Sequence, residues 1–119
     1  MATDPRIPVM FADPAQVAAL LGADDALLVE DGVVIPDGGL VRRFSLGAAT
    51  HALGCTCCAG RSSPAQALAA LFLARVRGES MFFRRVIAVV RDRTLVRGML
   101  EDDVMVRGRF IVVPDAAPI

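Results

Sequence analysis

The sequence predicts a three-layer α/β domain, a small and mostly parallel sheet with flanking helices. Apolar runs of strand length alternate with segments of helical periodicity, which is the pattern of strand–helix–strand units. One run, VIAVV at the end of the stretch Phe82–Val90, is continuous and branched, as in strands covered on both faces. A length of 119 residues leaves room for one core, so residues 1–119 are expected to form a single domain, and no repeat or low-complexity linker divides them.

The elements follow in order. IPVMFA after Arg6 predicts a short buried strand, and Asp13 as N-cap with Pro14 in the first turn predicts a helix over AQVAALL, stopped by Gly22. ALLVE, from Ala26 to Glu30, is the second strand, broken by Asp31-Gly32. The run VVI then leads to a turn at Pro36-Asp37-Gly38-Gly39 and a further strand in LVRRFSL. After the loop GAATHALGCTCCAGRS, Ser63 caps a helix with Pro64 in its first turn. Leu68, Leu71, Phe72 and Val76 fall on one face of it, and Gly78 ends it. Phe82–Val90 is the next strand. Leu95, Val96, Met99 and Leu100 space a second amphipathic helix between Asp92 and Asp102, weakened by Gly98, and RFIVV from Arg109 to Val113 is the last strand.

Composition narrows the function. Hydrophobic residues make up 55% of the chain and charged residues 22%, enough apolar material to offset the entropy of ordering. The 13 basic and 13 acidic residues cancel, which argues against a general nucleic-acid binder. All the basic residues are Arg. Without Lys there is no Schiff-base chemistry and no phosphate-loop lysine. Tyr and Trp are absent and His51 is the one histidine, so no Ser-His-Asp arrangement is supported and the chain is not expected to be an enzyme. Asp4 and Pro5 interrupt the start where a signal peptide would carry positive charge and an apolar run. The longest apolar stretch, Ala67–Ala74, falls short of the roughly 20 residues of a membrane span, so a cytoplasmic protein with no membrane partner is expected.

The three cysteines, Cys55, Cys57 and Cys58, all lie in GCTCC. This spacing is too tight for a disulfide framework. In extended backbone, side chains two positions apart share a face, so Cys55 and Cys57 can converge on one ion, and Cys58 joins them if the chain turns there. Thiolates favour soft or borderline ions. Zinc is the first expectation, with cobalt and copper as alternatives, and a tetrahedral site needs further ligands from His51, a carboxylate, water or a second chain. Two other readings stand beside this one: buried cysteines acting as small apolar side chains, and a redox pair. His51 lies four positions before Cys55 and is the natural added ligand, or else an ordinary loop histidine.

The stretch from about Ala26 to Ala116 resembles the GTPase domain of CobW-type metallochaperones, which carry a Cys-x-Cys-Cys motif within GCxCC. The pieces that carry the resemblance are ALLVEDGVVIPDGGLVR, LGCTCC, Arg61, ALAALFLARVRG, FFRRVIAVV and FIVVPDA. The resemblance implies a P-loop GTPase-like fold, truncated here, and a shared metal motif; it places Glu30, Asp31 and Asp37 in an acidic loop near the metal, where solvated turn residues explain them equally. The departures concern the nucleotide. IPVMFADPAQVAALL stands where the family has GxxxxGKT, AVVRDRT stands in place of its acidic-Thr-Thr-Gly segment, and Asn-Lys-x-Asp cannot occur without Lys. No nucleotide cofactor is expected and hydrolysis is expected to be lost.

Arg42-Arg43 and Arg84-Arg85 are expected on solvated faces, and Asp24-Asp25 and Asp102-Asp103 are not expected to act as acid/base pairs. The leading expectation is a metal-binding protein that holds or passes an ion through Cys55, Cys57, Cys58 and His51, its partners a metal-recipient protein or a second copy. The alternative is a partner-binding module whose cysteines are structural or redox-active.

Overall fold

In a computed structural model, which describes residues 4–46 and 63–117, five strands form one sheet. The strands are β1 (Ile7–Phe11), β2 (Asp25–Glu30), β3 (Leu40–Phe44), β4 (Arg85–Val89) and β5 (Phe110–Val112), in the order β3-β2-β4-β1-β5. Every pairing is parallel, with Asp25 opposite Arg85, Val9 opposite Val86, Ala26 opposite Leu40 and Ile7 opposite Phe110. β2 is buried along its whole length because β3 and β4 flank it and both its faces are covered.

Two apolar clusters, one on each face, make the three layers. On one face Val9, Phe11, Leu28 and Val86 pack with α2 (Pro64–Val76), α3 (Arg93–Asp102) and α4 (Val104–Arg109), which contribute Leu68, Leu71, Val96, Leu100 and Val106. On the other, Leu27, Val29, Ile87 and Val89 meet Val17 and Leu20 of α1 (Val17–Leu20), with Val33 and Ile35 from the connection between β2 and β3. Each buried Leu or Phe contributes about 1.5–3 kcal/mol through removal from water. The second cluster is the thinner of the two, since a one-turn helix and a loop stand where a longer helix would cover more surface. Among the described residues no helix is long and apolar enough to cross a membrane.

The first predicted helix is shorter than its periodicity suggests. Pro14–Gln16 forms a 3-10 turn, α1 follows, and Leu21 turns to extended backbone before Gly22. The reason lies in the turn that follows: the Gly22 N–H donates to the Asp25 carboxylate at 2.7 Å and does not continue the helical ladder.

α2 has the predicted ends. Ser63 accepts from the Gln66 N–H and Gln66 Oε1 accepts from the Ser63 N–H, a reciprocal cap. At the other end Gly78 adopts φ +71°, and the Glu79 N–H reaches back to the Ala74 carbonyl at 2.8 Å. Val76, predicted on the apolar face with Leu68 and Leu71, is 63% exposed instead.

β4 starts at Arg85, three residues after the predicted start at Phe82. The Arg75 side chain holds the preceding segment to α2, with Nε donating to the Phe83 carbonyl at 2.8 Å and the guanidinium 3.7 Å from the Phe82 ring centre. α4 has no counterpart in the periodicity. It is six residues long and buries only Val106, too little for an amphipathic pattern, and Asp103 caps it by accepting from the Val106 N–H.

Candidate functional site

In a parallel α/β sheet, loops at the carboxyl ends of the strands build the ligand sites. The segment with the predicted ligands leaves the carboxyl end of β3 and rejoins the described chain at Ser63, the cap of α2. His51, Cys55, Cys57 and Cys58 themselves lie outside the described residues. So does Arg61, one of the residues that carries the resemblance.

The acidic residues beside this edge fall into two kinds. Glu30, at the end of β2, is buried, and its two oxygens accept from the Arg91 backbone N–H at 2.9 Å and from Arg91 Nη1 at 3.1 Å. Its carboxylate is thus committed to a partner on the loop after β4. Asp31 and Asp37 are exposed, and their side chains make no hydrogen bond or ion pair among the described residues. Asp31 is nevertheless fixed through its backbone, whose N–H donates to the Phe44 carbonyl at 2.8 Å. Asp31, with no partner for its carboxylate among the described residues, is thus tied by its backbone to the last residue of β3. No three His, Cys, Asp or Glu side chains converge among the described residues.

The junction after β1 has the wrong chemistry for an anion cradle. Such a cradle needs unpaired N–H groups at a helix start. Here Pro14 has no N–H, the Asp13 N–H donates to Gln16 Oε1 at 2.8 Å, and the Asp13 carboxylate itself occupies the turn. The chain after β5 closes over this point: the Ala116 N–H donates to the Phe11 carbonyl and Gln16 Nε2 donates to the Ala117 carbonyl, each at 2.8 Å. Arg93 ties the pieces together, with Nη2 2.6 Å from Asp13 and Nη1 2.8 Å from Asp115, while Arg97 contacts the other Asp115 oxygen at 2.5 Å. Sequence reasoning missed this network because its members are 80 and 22 positions apart and share no local pattern.

The Arg and Asp pairs divide. Arg42 and Arg84 are exposed as expected. Arg43 is exposed as well, though it donates to the Glu30 and Val33 carbonyls at 3.3 and 3.1 Å, whereas Arg85 is half-buried and clamps the buried Asp25. Asp25 and Asp103 are likewise a buried ion-pair partner and a helix cap.

No family model, curated protein or solved structure matches the chain.

Proposed function

We propose that the chain holds a transition-metal ion, zinc foremost, through Cys55 and Cys57, with Cys58 and His51 as further ligands. It acts as a non-hydrolytic relative of the CobW-type metallochaperones that keeps or passes the ion. The observation that carries this reading is the confinement of every thiol in the chain to GCTCC. Two features support it. The segment springs from the carboxyl edge of a parallel sheet, the usual place for ligands. Asp31, held to the end of β3 by its backbone and with no partner for its carboxylate among the described residues, is an oxygen donor for a site that the thiolates leave incomplete. The loss of nucleotide hydrolysis is part of the proposal, and the carboxylate and proline at the junction after β1 support it.

The test is metal content and competitive zinc affinity of the reduced protein beside a variant with Cys55→Ser and Cys57→Ser. A tight stoichiometric site present in the first and lost in the second is expected. Equal, weak uptake by both would sink the reading.

A second reading, a partner-binding module, draws on the apolar side chains Leu73, Val76, Met81 and Phe82, all exposed around the end of α2. It predicts a stable oligomer in the absence of metal and cysteines that resist thiol reagents in the native state.

A further inference from the structure

A cavity of about 260 Å³ opens at the amino-terminal ends of β1 and β5, the edge of the sheet opposite to the one that leads to the cysteines. Three guanidinium groups, from Arg6, Arg75 and Arg109, line it beside the Phe72 ring. Arg6 is already neutralised, since Asp4 pairs with it at 2.6 Å, and it also donates to the Arg107 carbonyl. Arg75 and Arg109 have no carboxylate partner among the described residues.

Both free cations are held by aromatic rings. The Arg75 guanidinium is 3.7 Å from the centre of Phe82, and its Nε is spent on the Phe83 carbonyl, which leaves its two terminal nitrogens without an acceptor among the described residues. The Arg109 guanidinium stands 4.5 Å from the centre of Phe72 and makes no hydrogen bond among the described residues. Phe72 is in turn fixed edge-on against Phe110 at 6.1 Å. Stacking orients a planar fork before any ligand arrives, so little side-chain entropy remains to be lost on binding. Burial, and then the neighbouring charge of Arg84, lower the Arg75 pKa.

With Arg6 and Asp4 cancelling, the cavity wall carries two positive charges that no carboxylate of the described residues compensates. A phosphate monoester at neutral pH carries about −1.5 to −2 and offers three acceptor oxygens, which suits two independent forks. We propose that this cavity binds a phosphate dianion, free or as the monoester of a small molecule, with Arg75 and Arg109 as its donors and Phe72 as an apolar wall.

The experiment titrates the full chain with inorganic phosphate, phenyl phosphate and succinate, following the arginine Nε–H resonances and the heat of binding. Saturable binding of one phosphate is expected, with shifts at Arg75 and Arg109, and Arg109→Gln should weaken it at least ~10-fold, the loss of one charge-assisted contact. Arg75→Lys keeps the charge but not the fork and should also weaken it, whereas Arg42→Gln, on exposed β3, should leave it unchanged. Tighter binding of phenyl phosphate assigns the site to an organic monoester, and equal binding assigns it to the free ion. Absence of saturable binding, a tighter complex with succinate, wild-type affinity in both Arg75→Lys and Arg109→Gln, or an equal loss in Arg42→Gln would each overturn the proposal. Thermal melting of each variant separates loss of the fold from loss of the site.

Discussion

Asp25 and Arg85, the first residues of β2 and of the central strand β4, face each other across the β2–β4 pairing and close a two-pronged ion pair, Nε to Oδ1 at 2.9 Å and Nη2 to Oδ2 at 2.6 Å. The same atoms reach the end of α1: Oδ2 accepts from the Gly22 N–H, and Nη2 donates to the Leu20 carbonyl at 3.0 Å. One pair thereby sets the register of the sheet centre and the point where the first helix stops. Asp25→Ala strands a guanidinium and a backbone N–H together. The Arg85 side chain keeps about a third of its exposure, so the cost falls below that of a fully buried pair, at about 2–3 kcal/mol. Arg85→Lys retains the charge without the fork and should cost less. Urea unfolding of both variants checks the order; equal loss would make the two-pronged geometry, and not the charge, responsible.

The same pair gives stability a dependence on acid. Burial alone would raise the Asp25 pKa, but the hydrogen bonds from Arg85 and Gly22 outweigh it and hold the carboxyl below the usual carboxylate range. A group depressed in the folded state stabilises fully above its unfolded pKa, about 4, and the contribution is lost as pH falls through the folded value. Asp4, lowered to about 2 through its hydrogen bonds to Arg6, acts in the same sense at the exposed amino-terminal end. Stability should therefore decline on acidification below about pH 4. Asp25→Asn should flatten that decline in part, leaving the share due to Asp4; an unaltered slope between pH 4 and pH 2 would show that Asp25 titrates alike in both states.

How much of this was legible depends on the range of the interaction that decides each element. α2 is fixed locally: Ser63, Pro64, Gln66 and Gly78 determine both ends, and the structure has them where the sequence predicts. β2 and the core of β4 are apolar enough that only a covered sheet suits them. The premature end of the first helix is set by Asp25 and the late start of β4 by Arg75, side chains that lie near in sequence but whose hydrogen bonds to the Gly22 N–H and the Phe83 carbonyl no apolar periodicity encodes. Of the candidate site, its position on the chain was legible from the clustering in GCTCC, and Asp31 was legible as a turn acid. The commitment of Glu30 to Arg91, 61 positions away, was not.

Gly32 tests the edge beside the proposed metal segment. It adopts φ +89°, and a Cβ built there would collide with Arg91 Nη2. Gly32→Ala must therefore adopt a left-handed backbone and push aside the guanidinium that pairs with Glu30. The side chain of Arg91 is flexible at its tip and more than half exposed, so most of the cost, about 1–2 kcal/mol, comes from the backbone. A thermal shift of a few degrees downward is expected. No shift would mean that the turn between β2 and β3 relaxes without strain.

Metal binding, if it proceeds as proposed, must register in stability as well as in affinity. An ion that binds the folded chain and not the unfolded one stabilises it by RT ln(1 + [L]/Kd), about 2.7 kcal/mol at a hundredfold excess over Kd. For a chain of 119 residues this corresponds to a rise in Tm of roughly 10 °C. Cysteines also bind zinc in unfolded chains, which reduces the gain, so the informative quantity is the difference between proteins. Reduced wild-type chain with zinc should melt higher than with chelator, and the variant with Cys55→Ser and Cys57→Ser should melt alike in both. A rise retained in the double variant would move the binding away from GCTCC. A wild-type chain insensitive to zinc, with its thiols unreactive until it unfolds, would instead place the three cysteines in the interior as small apolar side chains.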